Sequence, residues 1–232
     1  DYIRRTKNKI FINQDNKYLT EIAKGIEQVT YGSDDTAFAW GCVVSSNPYL
    51  TFEWKQQGKI HTVETHLIGG YNLDNALAAV AVGRFFKIPA ERISRAIAAY
   101  EPTNNRSQLK KTDKNELIID AYNANPSSMK VALDNFAAML VSPKALILGD
   151  MRELGPTSDE LHAEVIARIK EGNYDKVFLC GEHFQKAAGN DFATFATTED
   201  LIEALRKNPL KGYHVLIKGS HSMRLENMAE IL

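Results

Sequence analysis

The first part of the chain alternates between short apolar runs and turn-forming residues, a pattern typical of β-strands joined by tight turns. Asn47-Pro48 and Gln57-Gly58 supply turn chemistry between its last three apolar runs. The predicted strands are 9–13, 28–31, 38–46, 49–55 and 59–67, and a short helix is predicted over 16–24. Residues 28–67 are therefore predicted to form a mostly antiparallel β section.

The hydrophobic period changes after Gly69-Gly70. Apolar residues then recur at helical spacing and predict a helix from about 73 to 86, with a second helix beginning at Pro89. The stretch Glu101-Pro-Thr-Asn-Asn105 has the composition of a linker. We therefore place a domain boundary after residue 105.

From residue 106 onward, apolar runs of strand length alternate with helical patterns. The predicted strands are 107–112, 115–119, 144–148, 176–180, 192–196 and 213–217, and the predicted helices are 126–140, 157–171, 182–188, 199–207 and 223–231. Repeated βα units favour a parallel sheet with helices on both faces. The expected fold class is α/β: β-rich hairpins plus two helices over residues 1–105, then a Rossmann-like, mostly parallel βα domain over 106–232.

Polar loops follow three of the predicted strands of the second domain. They are Asp120-Ala-Tyr-Asn-Ala-Asn125, Gly149-Asp-Met-Arg-Glu-Leu-Gly155 and Lys218-Gly-Ser-His-Ser222. In a parallel sheet these loops open at the same edge, where α/β proteins bind ligands. Their carboxylates, amides, lysine and hydroxyls suit ribose hydroxyls and the charged ends of a small zwitterion. In the alternative interpretation, the aspartates cap turns and the asparagines tolerate left-handed backbone geometry.

Three further residues have both a structural and a functional interpretation. Asn72, which precedes the helix at 73, is either its N-cap or a ligand contact. Arg106 either reaches an anionic ligand or forms an exposed salt bridge. His162 lies in a predicted helix, where a packing role is more common than a catalytic one. The histidines and cysteines show no metal-ligand spacing.

Composition excludes several classes of function. The formal net charge of −1 gives no basic footprint for nucleic acid, and no apolar stretch approaches the ~20 residues of a membrane span. Cys42 and Cys180 lie in separate apolar runs, which predicts reduced, buried thiols. The chain shows no signal peptide and begins without methionine, so we expect a fragment of a cytoplasmic protein.

Three motifs together resemble the ATP-dependent Mur ligases. They are Asp120-Ala-Tyr-Asn-Ala-Asn-Pro-Ser-Ser-Met129, Leu148-Gly-Asp-Met-Arg-Glu-Leu-Gly155 with His162 downstream, and Lys218-Gly-Ser-His-Ser-Met-Arg-Leu-Glu226. The first and third resemble most closely the member that adds D-alanyl-D-alanine to UDP-N-acetylmuramoyl-tripeptide. The resemblance runs from about Lys9 to the C-terminus. It implies that 1–105 is the C-terminal part of a central ATPase domain and that 106–232 is the C-terminal ligase domain.

The resemblance also implies roles for individual residues. Asn72 and Asn75 match the asparagines that contact adenine, although Tyr71 stands where the family usually has a histidine. Arg106 resembles an arginine that moves to the nucleotide, and Asp120 resembles the ribose-binding aspartate. The expected substrate-binding residues on the dipeptide side are Asn123, Asn125, Asp150 and Ser220. Asp150 is also the expected catalytic residue, holding the ammonium of the dipeptide and assisting its loss of a proton.

The implied reaction phosphorylates the carboxylate of the tripeptide with ATP, and the amine of D-Ala-D-Ala then attacks the acyl phosphate. The sequence has no phosphate loop of the Gly-x-x-x-x-Gly-Lys-Ser/Thr type. The main phosphate ligands and Mg²⁺ ligands are therefore expected upstream of Asp1, and the fragment alone is expected to be an inactive monomer. Two alternatives stay open: a non-catalytic nucleotide- or small-ligand-binding module, and a related ligase with another amino-acid acceptor.

Overall fold

The computed structural model describes residues 5, 8–103 and 105–232. The chain divides into two compact units, Asp1–Glu101 and Pro102–Leu232. The predicted domain boundary, after residue 105, lies a few residues beyond this division. Among the described residues, no helix combines the length and the apolar character that crossing a membrane requires.

The described residues of the first unit include a five-stranded sheet and the three α-helices given next. The strands are β1 (Lys9–Asn13), β2 (Glu27–Gly32), β3 (Ala39–Ser46), β4 (Tyr49–Gln56) and β5 (Lys59–Ile68), and the helices are α1 (Lys17–Ile22), α2 (Leu73–Phe85) and α3 (Ala90–Ala98). The strands lie side by side in chain order. Each predicted strand and helix of this unit is present, with ends shifted by no more than two residues.

Strand direction in the first unit differs in part from the prediction. Strands β3, β4 and β5 form two antiparallel hairpins, as expected, but β2 pairs with both β1 and β3 in parallel. The pairing of β2 with β3 covers only Tyr31–Gly32 and Ala39–Trp40. Residues 28–67 are therefore mostly antiparallel, as predicted, with one short parallel pairing that the prediction did not include.

The turn between β4 and β5 shows why Gln57-Gly58 could be predicted as a turn from the sequence. Gln57 and Gly58 both have positive φ angles, 51° and 79°, which matches the right-handed twist of the strands on either side. Alternate residues of β4 (Leu50, Phe52 and Trp54) are buried together with Leu77 and other residues of α2. The hydrophobic period of two along β4 and the helical period along α2 thus build one core.

The second unit contains a six-stranded sheet with the order β10-β9-β8-β11-β7-β6. Its strands are β6 (Gln108–Lys111), β7 (Glu116–Asp120), β8 (Lys144–Gly149), β9 (Lys176–Cys180), β10 (Ala193–Phe195) and β11 (His214–Lys218), and its helices are α4 (Pro126–Ala138), α5 (Ser158–Glu171), α6 (Glu182–Ala188) and α7 (Thr198–Lys207). All neighbouring strands are parallel except β6 with β7. Every residue of β8 is buried, as a central parallel strand requires. The mixed α/β fold class is confirmed.

The helix predicted over 223–231 is wrong in type. Residues His221–Met223 and Leu225–Glu230 form two 3₁₀ segments, separated by Arg224 in the left-handed conformation with φ 50°. A left-handed residue interrupts the α-helical hydrogen-bond ladder. Leu225 is fully buried against Gly149 and Gly219, where an added Cβ would lie 2.8 and 2.7 Å from its Cδ1 atom. The apolar spacing therefore predicted the buried positions correctly but not the type of helix.

The two cysteines are both free thiols with different exposure. Cys180 is buried at the end of β9, and burial raises its pKa to about 11. Cys42 is only partly buried in β3. The prediction of two buried thiols therefore holds for Cys180 alone.

Candidate functional site

The three polar loops begin side by side at one edge of the second sheet. Strand β11 lies between β7 and β8, parallel to both. In the strand register Lys218 pairs with Asp120 on one side and with Leu148 on the other. The prediction that these loops open at the same edge is confirmed. We call loops 120–125, 149–155 and 218–222 together the carboxyl-edge site.

Direct hydrogen bonds join the three loops of the carboxyl-edge site. The Nζ atom of Lys218 lies 2.6 Å from Asp120 Oδ2 and donates to the Asn123 carbonyl at 3.1 Å. The Ser220 hydroxyl accepts from the Arg152 backbone N–H at 2.8 Å, and the Ser220 N–H donates to the Asp150 carbonyl at 3.3 Å. The loop after β11 therefore contacts both of its neighbours.

Asp120 is partly exposed and held at both carboxylate oxygens. Its Oδ1 atom accepts from the Ser107 backbone N–H at 3.2 Å, while Oδ2 faces Lys218. Its side chain keeps 19% exposure. A carboxylate with two fixed contacts and an open face suits the hydroxyl donors of a sugar, because each oxygen retains a lone pair for a further donor.

The two asparagines of the first loop are exposed and use their side-chain oxygens locally. Asn123 Oδ1 accepts from the Ala124 N–H at 2.8 Å. Asn125 caps helix α4: its Oδ1 accepts from the Ser128 N–H at 2.8 Å, and its own N–H donates to the Ser128 hydroxyl at 3.1 Å. In both residues the contact is made by the carbonyl end of the amide, so the amide nitrogen is the end that suits a ligand carboxylate.

An exposed aromatic layer borders Asp120. The Arg106 guanidinium lies over the Tyr122 ring, with Cζ 3.8 Å from the ring centroid. On the opposite loop the His221 ring lies 6.0 Å from Tyr122, centroid to centroid. The contact of Arg106 with Tyr122 is a cation–π contact within the second unit, and both the anion-binding role of Arg106 and its interdomain salt-bridge alternative stay predictions.

Asp150 has a structural position that differs from the expected one. Its side chain has 0% exposure, and its oxygens accept from the backbone N–H groups of His183 at 3.2 Å and Phe184 at 3.0 Å. Gly181 allows this approach, because an added Cβ there would lie 2.2 Å from Asp150 Cγ. A carboxylate that receives a ligand ammonium has to reach the ligand. The geometry therefore favours the capping alternative for Asp150 over the expected catalytic and substrate-binding roles.

His162, which the sequence presents as a packing residue, is buried and also fixes the second loop. Its Nε2 atom accepts from the Met151 N–H at 3.1 Å, and Nδ1 lies 2.7 Å from the Ser158 carbonyl. This pair of contacts selects the neutral ring with its proton on Nδ1. Burial lowers the pKa of His162, and although Asp150 Oδ1 lies 3.7 Å away, that carboxylate is a lesser influence.

Lys218 and His162 belong to the motifs of the sequence, but neither was predicted to hold the site together. A signal for Lys218 exists, since it is the one polar residue that ends the apolar run Val215-Leu-Ile217 and it precedes a glycine. The signal for His162 is weaker. Its distance from Met151 in the chain shows no catalytic pattern, and only the fold brings the two together.

In the first unit, Asn72 does not act as a helix N-cap. Its backbone is already helical, with φ −75° and ψ −4°, and its side chain makes no capping bond. It is buried, its Nδ2 donates to the Ile68 carbonyl at 2.8 Å, and its Oδ1 accepts from Asn75 Nδ2 at 2.9 Å. The capping alternative is wrong, and Asn72 instead orients the exposed amide of Asn75.

A metal site is not formed by the described part of the chain. In those residues, no group of three His, Cys, Asp or Glu side chains has the proximity that a metal ion needs. We assign no magnesium ligand to the described residues.

Two protein-family models match this chain. The model described as "Mur ligase, glutamate ligase domain" matches residues 105–221, and the model described as "Mur ligase middle domain" matches residues 4–83. Between them the two matches cover most of both compact units.

Among curated proteins, similar sequences are named UDP-N-acetylmuramoyl-tripeptide–D-alanyl-D-alanine ligase. The protein from Bacillus subtilis (strain 168) is 35% identical over 179 residues, which are 72% of this chain and 38% of that protein. The protein from Buchnera aphidicola subsp. Baizongia pistaciae is 31% identical over 242 residues, covering 97% of this chain and 51% of that protein. The chain thus spans about half, or less, of the length of these relatives.

Solved structures show the same fold. MurF from Acinetobacter baumannii superimposes with a TM-score of 0.83 at 21% identity, covering 99% of this chain and 53% of that one. The MurF ligase from Thermotoga maritima in complex with ADP gives a TM-score of 0.80 at 19% identity, covering 96% of this chain and 52% of that one. At these identities the likeness supports the architecture of both units and no further conclusion.

Proposed function

The chain belongs to the Mur ligase family, and from this premise we propose that it is part of an ATP-dependent ligase of peptidoglycan precursor synthesis. The reaction joins D-alanyl-D-alanine to UDP-N-acetylmuramoyl-tripeptide. The observation that carries the proposal is the joining of three polar loops at one sheet edge through Lys218–Asp120 and Ser220–Arg152. The enzyme is proposed to work in the cytoplasm as a monomer.

Nucleotide contacts are assigned in each unit separately. In the first unit, Asn75, oriented by Asn72, presents an exposed amide for the adenine base. In the second unit, Asp120 presents a fixed, partly exposed carboxylate for the ribose hydroxyls. Arg106, held on the exposed face of Tyr122, supplies a cation for an anionic group of the substrate.

The dipeptide is assigned to the exposed amides of the first loop, and the buried Ser220 is proposed to support its binding. Asn123 and Asn125 present amide nitrogens to a carboxylate, and the Ser220 hydroxyl ties the third loop to the second. Asp150 acts through the backbone, because it caps the residues that begin helix α6. It is therefore proposed as a positioning residue rather than as the group that deprotonates the amine.

The reaction balances as two transfers. The tripeptide carboxylate takes the γ-phosphoryl group of ATP, and ADP leaves. The uncharged amine of D-Ala-D-Ala then attacks the acyl carbon, a C–N bond forms, inorganic phosphate departs with the electrons of the C–O bond, and the nitrogen releases one proton to the phosphate or to solvent. The residues of this chain contribute through binding and orientation, and a Mg²⁺ ion held mainly by residues outside this chain would neutralise phosphate charge.

The proposal is tested with the complete gene product supplied with ATP, UDP-N-acetylmuramoyl-tripeptide and D-Ala-D-Ala. Phosphate release is expected to require all three substrates and to match amide formation one to one. Glycine, L-alanine and D-glutamate serve as control acceptors. Turnover with one of these but not with the dipeptide would select the related-ligase alternative, and nucleotide binding without turnover would select the binding module.

A second arm of the test uses the chain of 232 residues by itself. We expect no ligation from it, because its sequence contains no phosphate loop of the Gly-x-x-x-x-Gly-Lys-Ser/Thr type. Measurable amide formation by this chain alone would contradict the assignment of the phosphate ligands to residues outside it.

A further inference from the structure

Lys218 is a buried cation at the centre of the carboxyl-edge site. It is the last residue of β11, the strand between β7 and β8, and its side chain has 1% exposure. Its Nζ atom lies 2.6 Å from Asp120 Oδ2 and 3.1 Å from the Asn123 carbonyl oxygen. One ammonium group therefore contacts both the start and the middle of the first loop.

A buried lysine costs free energy, because desolvation of the charge offsets much of its attraction to a partner. An apolar residue of similar volume at this position would fill the space between the strands without that cost. Both contacts of Lys218 go to groups of the first loop rather than to the sheet below. The side chain is therefore placed where it acts on the loop.

The contacts of Lys218 act on the group assigned to the ribose. Asp120 Oδ1 is held by the Ser107 N–H and Oδ2 by Lys218, so the carboxylate plane is fixed from both sides. Removal of Lys218 leaves a single backbone contact, about which the carboxylate rotates. It also leaves a negative charge unneutralised at an edge that is proposed to receive a nucleotide.

We propose that Lys218 is a positioning residue for nucleotide recognition, which orients Asp120 toward the two ribose hydroxyls and holds the Asn123 backbone beside it. The inference rests on the ribose-binding role proposed for Asp120. Lys218 does not touch the substrate and acts entirely through its neighbours.

A second buried lysine in the same sheet provides a matched control. Lys144 begins β8, has 8% exposure, and donates from Nζ to the Ala137 carbonyl at 2.7 Å. It lies at the amino end of its strand, opposite the edge that carries the three loops. Lys144→Met thus removes a buried ammonium from the same domain without touching the site.

The experiment compares the affinities of ADP and 2′,3′-dideoxy-ADP for the complete gene product and its variants. The two nucleotides carry the same charge, so the ratio of their Kd values isolates the contribution of the ribose hydroxyls. Hydrogen bonds to a charged group are worth enough for the unaltered protein to prefer ADP by about tenfold or more. Lys218→Met is expected to reduce that preference at least threefold, and Lys144→Met is expected to leave it unchanged.

Loss of stability by itself does not move this ratio, which is measured on folded protein after circular dichroism confirms the native state. Lys218→Gln is the second variant, because it keeps a hydrogen-bond donor and fills similar space. It is expected to retain a preference between those of the unaltered protein and Lys218→Met. A folded Lys218→Met protein with the original preference would overturn the inference.

Asp120→Asn separates failure of this inference from failure of the proposed function. If the unaltered protein and Asp120→Asn both lack a preference for ADP, the ribose-binding role of Asp120 is wrong. If Asp120→Asn loses the preference and Lys218→Met keeps it, only the inference about Lys218 fails. If the roles proposed for Asp120 and Lys218 are both correct, the double variant Asp120→Asn, Lys218→Met should lose no more of the preference for ADP than Asp120→Asn alone.

Discussion

The loops after β7 and β8 have similar sequence patterns, but their aspartates have different surroundings in the structure. Each follows an apolar strand and carries an aspartate at or beside the strand end, Asp120 in one loop and Asp150 in the other. Asp120 keeps 19% side-chain exposure and pairs with Lys218, whereas Asp150 has 0% and accepts two backbone N–H groups. Asp150 therefore supports the backbone around it, whereas Asp120 is the carboxylate that we propose for recognition.

Asp120 and Asp150 differ in exposure because different elements pack next to their side chains. Beyond β8 lies β9, and the start of helix α6 directs two N–H groups at Asp150 past Gly181, which has no Cβ to obstruct them. Beyond β7 lies only the edge strand β6. An aspartate beneath a helix start becomes a cap, and an aspartate near the sheet margin stays available to a ligand.

The largest effect is expected from Asp150→Ala. The substitution leaves the buried N–H groups of His183 and Phe184 without their acceptor, and each buried unsatisfied donor costs about 1–3 kcal/mol. We expect the free energy of unfolding of the second unit to fall by about 3 kcal/mol, measured by urea denaturation. Asp150→Asn, which keeps one acceptor, should lose less. In the complete gene product, a selective rise in the dipeptide KM with unchanged stability would restore the substrate-binding role instead.

The next effect concerns His162, which supports the same loop through the Met151 N–H. His162→Phe keeps an aromatic ring in the contact with Phe184 but removes the acceptor of the buried Met151 N–H. The expected loss is about 2 kcal/mol of unfolding free energy. Ser158→Ala is the comparison variant, because it keeps the 2.7 Å contact of the Ser158 carbonyl with Nδ1 and removes only the 3.4 Å contact of the Ser158 hydroxyl, so its loss should be smaller.

His162 also predicts a pH dependence. Because burial lowers its pKa in the folded state, the unfolded chain binds a proton more readily. The associated stability is fully present above the unfolded pKa of ~6.5 and is lost as the pH falls from there toward the lowered folded value. Unfolding measured between pH 7.5 and 5 should show this loss in the unaltered chain. The His162→Phe chain should show a smaller slope, and equal slopes would assign the dependence to other groups.

Asp120→Asn tests the comparison with Asp150 directly. We expect this substitution to affect nucleotide affinity more than stability. The amide keeps one oxygen, which can accept from either Lys218 or the Ser107 N–H, and the position is partly exposed. We expect a stability loss of about 1 kcal/mol, smaller than for Asp150→Ala. Nucleotide affinity should fall about tenfold. A large loss of stability with unchanged nucleotide affinity would make the two aspartates alike.

Sequence pattern was sufficient for what depends on local chemistry and insufficient for what depends on neighbours in space. The strand periods, the Gln57-Gly58 turn and the shared edge of the three loops follow from rules within one segment or one βα unit. The burial of Asp150 depends on Gly181, and the position of Met151 depends on His162, both brought there by packing. Arg224 is similar, because apolar spacing predicts a helix that its left-handed backbone interrupts.

The smallest effect separates the two asparagines of the first loop. Asn125 caps α4 through a reciprocal pair of bonds with Ser128, and replacing such a cap with alanine typically costs about 1 kcal/mol. Asn123 bonds only to the adjacent Ala124 N–H on an exposed loop, so Asn123→Ala should change the unfolding free energy by less than about 0.5 kcal/mol. Both alanine variants should weaken D-Ala-D-Ala in the complete gene product. An Asn125→Ala variant that loses stability but keeps the dipeptide KM would make Asn125, like Asp150, a supporting residue, and would leave Asn123 as the amide that recognises the substrate.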